Sequence, residues 1–146
     1  MKRRRFLISG AGTAAAIIVP LTWAPARATP DSVRAAMRDV LGDTVPKPGR
    51  VNLEIPALVE NGNAVAMTVS CDALPGEVRS IHVFADGNLL PNVIHARFGP
   101  RAGRARLSTR IRLTASQTVI AVAMLSDGSC WLDSVELMVT LAACLD

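Results

Sequence analysis

The residues best suited to chemistry in this sequence are its three cysteines, Cys71, Cys130 and Cys144. A thiolate is a nucleophile and a metal ligand, and two thiols in an oxidising compartment can form a disulfide. Cys144 is followed only by Leu145 and Asp146, and chain termini are poorly ordered unless something holds them. The negative charge of Asp146 disfavours a thiolate beside it. We therefore expect Cys144 to be a group on which other proteins act rather than a self-activated nucleophile.

An odd number of cysteines leaves at least one thiol without a partner in its own chain. By position, Cys71 pairs most naturally with Cys130, which leaves Cys144 free. A disulfide that closes so long a loop would stabilise the fold by a few kcal/mol. The alternative is that Cys71 and Cys130 are buried free thiols that pack as small hydrophobic residues.

The other candidate ligands are two histidines. His82 and His95 lie on predicted strands and, together with Cys144, have the residue types of a His2Cys copper site. Neither histidine is near the cysteine in sequence, and a Cys-x-His-x-Met loop is lacking. We therefore expect solvated histidines and no metal site.

A row of arginines between residues 104 and 112 alternates with apolar residues. The expected role is a solvated sheet face, and the alternative is a surface for an anionic ligand or partner. The sequence contains no catalytic-triad motif, no paired carboxylates in a motif and no phosphate-binding glycine loop. These observations predict a protein that is not an enzyme and has no cofactor.

The first 28 residues have the pattern of an export signal. A basic segment, Lys2 to Arg5, precedes an apolar run over residues 8–21 and a small-residue cleavage site at 26–28. The run is too short for a membrane span, which needs about 18 apolar residues. The segment RRRFL at residues 3–7 resembles the twin-arginine signal of bacteria, and an arginine-rich Sec signal is the alternative. We expect a periplasmic protein that is exported by the twin-arginine route.

Removal of the signal changes the charge of the protein. Five of the 16 basic residues and none of the 12 acidic residues lie in the signal, so the mature formal charge is −1. The high pI of the whole chain therefore does not indicate a nucleic-acid partner, and the absence of tyrosine removes one kind of stacking platform. We expect no nucleic-acid partner and no membrane association after the signal is removed.

Residues 29–49 are predicted to form a short helix and a connector. Thr29-Pro30 has the pattern of an N-cap followed by proline at the first helical position, and Gly42 ends the helical spacing of apolar residues. From residue 50 to 141 the apolar residues recur with period two. Asn61-Gly62 and Asp127-Gly128 are predicted hairpin turns. The predicted strands are residues 51–55, 64–71, 80–85, 94–99, 103–113, 117–125, 130–133 and 135–141.

Short strands at near-regular spacing, separated by Gly, Pro and Asn, are typical of an all-β, immunoglobulin-like antiparallel β-sandwich. The short N-terminal helix precedes this sandwich in the mature chain. Residues 142–146 then form a C-terminal arm that carries Cys144. Since extended chain spans about 3.3–3.6 Å per residue, three residues beyond a strand that ends at Leu141 would project the sulfur roughly 10 Å.

Five segments of the mature chain resemble the SoxY family, which comprises sulfur-carrier subunits of the periplasmic thiosulfate-oxidising Sox system. They are IPALVENGNAV (55–65), SIHVFA (80–85), LPNV (90–93), STRIRL (108–113) and SDGS (126–129). The resemblance covers nearly the whole mature chain. It implies an immunoglobulin-like sandwich that forms a heterodimer with SoxZ and meets other Sox enzymes transiently.

The resemblance also implies a role for the arm. SoxY proteins hold sulfur intermediates covalently on a cysteine in a Gly-Gly-Cys-Gly-Gly arm, where other Sox enzymes attach thiosulfate, oxidise the bound sulfur and release sulfate. Cys144 matches this carrier cysteine in position. The four flanking glycines are replaced by Ala142, Ala143, Leu145 and Asp146, which make the arm stiffer, bulkier and more acidic.

The sequence therefore predicts a covalent sulfur carrier with Cys144 as the attachment site. Two alternatives remain open at this stage. One is a SoxY-like binding subunit that carries no sulfur and stabilises a SoxZ-like partner. The other is a thiol carrier in a different periplasmic pathway.

Overall fold

The computed structural model describes residues 29–143, which form one helix and nine strands. The predicted signal segment and Cys144 lie outside the described residues. The elements are α1 (Pro30–Leu41), β1 (Lys47–Pro48), β2 (Val51–Glu54), β3 (Leu58–Val59), β4 (Val65–Cys71), β5 (Val78–Ala85), β6 (Asn92–Arg97), β7 (Arg106–Ile111), β8 (Gln117–Leu125) and β9 (Cys130–Val139). The predicted fold class, an all-β sandwich preceded by a short helix, is confirmed.

Helix α1 begins and ends where its local signals predict. The Thr29 N–H donates to Ser32 Oγ at 2.8 Å and the Ser32 N–H donates to Thr29 Oγ1 at 3.3 Å, so the first turn is capped reciprocally. Pro30 occupies the first turn, and Gly42 ends the helix with φ of 63°. The helix buries Val33 and Leu41.

The strands form two packed sheets. The larger sheet has the order β1-β9-β8-β5-β6, with β3 also paired to β9, and the smaller sheet has the order β2-β4-β7. The pairs between the longer strands are antiparallel, as predicted. The two-residue strands β1 and β3 instead run parallel to β9. Both were missed in the sequence because two residues are too few to show a period.

Strand β9 joins two segments that the sequence analysis separated at Ser134. Its pairing with β8 is continuous from Cys130, opposite Met124, to Leu137, opposite Gln117. The polar residues Asp133 and Ser134 interrupt the apolar pattern, but the Asp133 carboxylate accepts a hydrogen bond from the Leu53 N–H at 2.9 Å. This aspartate therefore links the two sheets from within a strand.

The main core lies between the two sheets. Alternate residues of β4 point into it, namely Val65, Met67, Val69 and Cys71. A second hydrophobic cluster lies on the opposite face of the larger sheet, where α1 covers Phe84, Val122 and Cys130. The larger sheet is thus packed on both faces, because the helix covers the face that the smaller sheet does not.

Candidate functional site at the base of the C-terminal arm

The predicted attachment residue, Cys144, follows directly after the last described residue. The candidate site is therefore described by the residues that contact the chain between the end of β9 and Ala143. These residues come from the β3–β4 connection, from the segment after β7 and from the end of β9.

Backbone hydrogen bonds attach the chain after β9 to the sandwich. The Thr140 N–H donates to the Val59 carbonyl at 2.9 Å, and the Leu141 carbonyl accepts from the Gly62 N–H at 2.8 Å. The Ala143 N–H donates to the Leu113 carbonyl at 3.0 Å. Ala143 is only 6% exposed. The arm predicted over residues 142–146 is consequently anchored as far as the residue directly before Cys144.

Gly62 is at the centre of this anchor. It donates to Leu141, and its carbonyl accepts from the Leu113 N–H at 2.8 Å. A Cβ added at this glycine would lie 2.2 Å from the Leu113 carbonyl oxygen and 3.0 Å from the Ala143 nitrogen. Because these atoms belong to backbone, they cannot rotate away as a side chain would. The position therefore requires glycine.

The hairpin predicted at Asn61-Gly62 is wrong. The chain does turn there, and Asn61 Oδ1 accepts from the Asn63 N–H at 3.0 Å. However, β3 pairs with β9 whereas β4 pairs with β2 and β7, so the turn connects two sheets. Gly62 is needed for close approach rather than for a positive φ. In contrast, the hairpin at Asp127-Gly128 is confirmed, with φ of 85° at the glycine.

Large apolar side chains are exposed beside the anchor. Leu58 and Met138 are directly opposite each other in the β3–β9 register and are 60% and 63% exposed. Leu141 is 61% exposed. We call these three side chains the arm-end surface. Several large exposed apolar side chains in one region of the surface are typical of protein interaction sites.

The predicted disulfide between Cys71 and Cys130 is absent from the described residues, where both cysteines are buried free thiols. The reason is topological. Cys71 faces the core between the sheets, whereas Cys130 faces helix α1, so the larger sheet separates them. Burial raises the pKa of both thiols. They are small hydrophobic residues, which is the alternative that the sequence left open.

The expectation of solvated histidines is wrong for His82. His95 is exposed, but His82 is only 4% exposed and its ring stacks on that of His95, with 4.3 Å between the centroids. Burial, with help from the nearby His95 and Arg97, lowers the pKa of His82 to about 4. The sequence was misleading because this face of β5 is partly covered by α1.

The histidine pair is far from the anchor of the arm. His82 is opposite Val122 in the β5–β8 register, whereas the anchor adjoins Ser116 just before β8 begins. Five residues of strand separate Gln117 from Val122, or roughly 17 Å. Within residues 29–143, no three His, Cys, Asp or Glu side chains form a cluster that could hold a metal ion.

The arginine row behaves as the alternation predicts. The side chains of Arg104, Arg106, Arg110 and Arg112 are exposed, while Ala105, Ile111 and Leu113 are buried. Strand β7, which carries part of this row, is an edge strand of the smaller sheet.

Comparison with protein families finds a match over most of the chain. The family model "Sulfur oxidation protein SoxY" matches residues 37–144, which include all of the sandwich and Cys144. The chain belongs to the SoxY family. The resemblance found in the sequence is thereby confirmed, and the match ends at the predicted carrier cysteine.

Solved structures show the same fold. The sulfur carrier protein SoxY from Chlorobium limicola f thiosulfatophilum is 23% identical with a TM-score of 0.65, over 76% of this chain and 98% of that one. A superoxide reductase (neelaredoxin) from Ignicoccus hospitalis is 19% identical with a TM-score of 0.55, over 77% and 94%. A putative superoxide reductase from Thermotoga maritima is 20% identical with a TM-score of 0.55, over 65% and 87%.

A search of curated protein sequences found no match. Among the described residues of this SoxY-family chain, no helix is long and apolar enough to cross a membrane.

Sequence reasoning missed the residues that anchor the arm. Gly62 was noted only as part of a turn, and Leu113 and Ala143 only as a strand residue and a departure from glycine. The Asn-Gly pair was the one available signal, but the hydrogen-bond partners of Gly62 are 51 and 79 residues away in sequence. Such a contact has no local pattern.

Proposed function

We propose that this SoxY-family protein is a covalent sulfur carrier that holds sulfur intermediates on Cys144. The observation that carries this proposal is the family match, which runs through the sandwich and ends at Cys144. The structurally similar SoxY from Chlorobium limicola f thiosulfatophilum is a sulfur carrier protein. The anchoring of the chain up to Ala143 supports the proposal further, since it holds the residue directly before the cysteine at a defined end of the sandwich.

The chemistry requires other enzymes. Joining the Cys144 sulfur to the outer sulfur of thiosulfate forms an S–S bond, releases the thiol proton and removes two electrons, which an oxidising Sox enzyme accepts. Hydrolysis of the terminal sulfonate with one water then releases sulfate and leaves a persulfide on Cys144. The carrier supplies the thiol and its position, and we propose that it has no catalytic activity of its own.

The anchor limits how far the thiol can reach. With Ala143 hydrogen-bonded to Leu113, Cys144 is one residue from the body of the sandwich. An enzyme must either approach this end of the sandwich closely or open the Ala143–Leu113 hydrogen bond. Opening one such bond costs about 1 kcal/mol, which is a small fraction of an enzyme-binding free energy. The buried, hydrogen-bonded Ala143 therefore favours a chain that stays docked up to this residue until an enzyme binds.

We further propose that a SoxZ-like subunit binds the arm-end surface. Leu58, Met138 and Leu141 are apolar, exposed and next to the anchor, so a partner there would be close to the carrier thiol. Leu58→Asp should weaken co-purification of the partner. Leu74→Asp is the matched control, because Leu74 is 69% exposed on the β4–β5 connection. Equal co-purification with both variants would contradict this placement.

We also propose twin-arginine export to the periplasm, on the basis of residues 1–28. Since that route moves folded proteins, a partner without a signal would travel bound to this chain. Replacement of Arg3, Arg4 and Arg5 by lysine should leave both proteins in the cytoplasm. Export of the partner from such cells would contradict the joint route.

The central experiment is intact-mass analysis of protein purified from its host during growth on thiosulfate. Wild-type protein should carry sulfur-containing adducts on Cys144, and Cys144→Ser should carry none. Cys130→Ala is the control, because it removes a buried thiol and should retain the adduct. Wild-type protein that stays unmodified during sulfur oxidation would refute the carrier role. Intact sulfur oxidation in Cys144→Ser would instead favour the alternative of a binding subunit that carries no sulfur.

A further inference from the structure

A cleft of about 540 Å³ opens on the outer face of the larger sheet, beside the last turn of α1. Its volume is in the range of small-molecule sites. Strands β5 and β6 supply most of its polar lining. The lining residues are Val40, Arg79, Ser80, His82, Asn92, His95, Arg97, Phe98 and Met124.

The charged side chains that line this cleft are all positive. Arg79 and Arg97 line it, and none of the lining residues is acidic. Helix α1 and strand β8 contribute only the uncharged Val40 and Met124. Within residues 29–143 the one salt bridge joins Arg34 to Asp31, so neither cleft arginine has a carboxylate partner there.

The sequence around the cleft has the same bias. Residues 79–112 contain seven arginines and a single acidic residue, Asp86, although the mature chain as a whole is close to neutral. Two of these arginines, Arg79 and Arg97, lie on β5 and β6, which form the cleft, and the other five lie on the β6–β7 connection, on β7 or directly after it. Such an excess of positive charge raises the local concentration of anions.

The buried histidine is a second, independent observation. His82 Nε2 lies 3.1 Å from Ser80 Oγ, but its Nδ1 is buried and has no hydrogen-bond partner among the described residues. Unpartnered buried polar atoms are rare in native proteins, and a water or an ion is one of the partners that can satisfy them. Burial lowers the pKa of this ring most, and the nearby His95 and the positive charge of Arg97 lower it further. A bound anion would offset that positive charge.

We propose that the cleft formed by Arg79, Arg97 and the His82–His95 pair binds a small tetrahedral oxyanion. Guanidinium groups bind such anions with two parallel hydrogen bonds. Ser80, Asn92 and His95 supply further donors of the kind that fix orientation. The site is distinct from the anchor of the arm, which lies towards the opposite end of β8.

The inference can be tested by isothermal titration calorimetry of the purified protein with sodium sulfate, thiosulfate and phosphate. Sodium chloride at equal ionic strength is the reference. We expect one oxyanion per chain, bound in the presence of chloride. Equal affinity for all three anions would assign a general oxyanion site, and a preference for sulfate and thiosulfate would assign one selective for sulfur oxyanions.

The variants give a matched comparison. Arg97→Gln and Arg79→Gln should each weaken binding about tenfold or more, because each removes a charge-assisted contact. Arg106→Gln removes the same charge from the exposed surface of the smaller sheet and should leave the affinity unchanged. If Arg97→Gln does not fold, as judged by circular dichroism, Arg79→Gln carries the test.

A second measurement locates the anion. The chain has only two histidines, so ¹⁵N-edited imidazole spectra contain two sets of signals. Titration with sulfate should shift both sets, and titration with chloride should shift neither. Binding no stronger than that of chloride, equal weakening by Arg106→Gln, or unshifted histidine signals would each overturn the proposal. None of these results depends on whether Cys144 carries sulfur.

Discussion

Replacement of Gly62 by alanine tests the anchor of the arm directly. A Cβ at this position would lie 2.2 Å from the Leu113 carbonyl oxygen, so the two backbone segments must separate. Three hydrogen bonds depend on their approach: Gly62 to Leu141, Leu113 to Gly62, and Ala143 to Leu113. At about 1 kcal/mol each, their loss lowers the free energy of unfolding by about 3 kcal/mol. This is a large part of the ~5–15 kcal/mol that stabilises a domain of this size.

The assay has two parts. Urea denaturation of Gly62→Ala should show a lower midpoint, and thermal denaturation should show a Tm lower by roughly 10 °C or more. Native-state alkylation should also be faster than in the wild type. Because Cys71 and Cys130 are buried with raised pKa values, the fast-reacting thiol in such an experiment is expected to be Cys144.

Gly103→Ala is the matched control. An added Cβ there meets no atom within 4 Å, and φ is not in the left-handed region. Its stability should stay within about 0.5 kcal/mol of the wild type. Equal stability of Gly62→Ala and Gly103→Ala would refute the anchor, and so would an alkylation rate that does not change when Gly62 is replaced.

Two further predictions concern the buried groups. The pKa of His82 is about 4 in the folded protein and about 6.5 when the chain is unfolded. Its neutral form therefore contributes stability above pH 6.5 that is lost as the pH falls to 4, by about 3 kcal/mol. Between pH 6.5 and pH 4 the urea midpoint should fall less in His82→Gln than in the wild type. An equal fall in the two proteins would contradict the prediction. Dithiothreitol should leave the urea midpoint unchanged, since Cys71 and Cys130 are free thiols; a lower midpoint would indicate a disulfide between them.

Local signals in the sequence were sufficient for much of the fold. The Thr29-Pro30 cap and Gly42 define α1, because capping depends on residues within one turn of each other. Strands β4, β5 and β8 were predicted with ends close to those observed, since each is long enough to show which residues face a core. Asp127-Gly128 predicted its hairpin because the positive φ of Gly128 is a local requirement.

The incorrect predictions from the sequence share a physical cause. In each case the residue contacts a part of the chain that is distant in sequence. The strand was predicted to end at Asp133, because the hydrogen-bond partner of this aspartate, the Leu53 N–H, is 80 residues away. The face of β5 that carries His82 looked solvent-exposed because nothing local shows that α1 folds back over it. The proposed disulfide failed for a related reason, since spacing does not show on which face of a sheet each cysteine lies.

The sequence by itself determined the family, the sandwich class and the candidate carrier residue, Cys144, because these depend on residue identity and on short-range periodicity. Only the tertiary structure decided that Gly62 and Leu113 hold the chain up to Ala143. It alone brought Arg79, Arg97 and the two histidines to one cleft. Such arrangements result from the packing of strands that are far apart along the chain. Their contacts are set by sheet order and register, which no local pattern encodes.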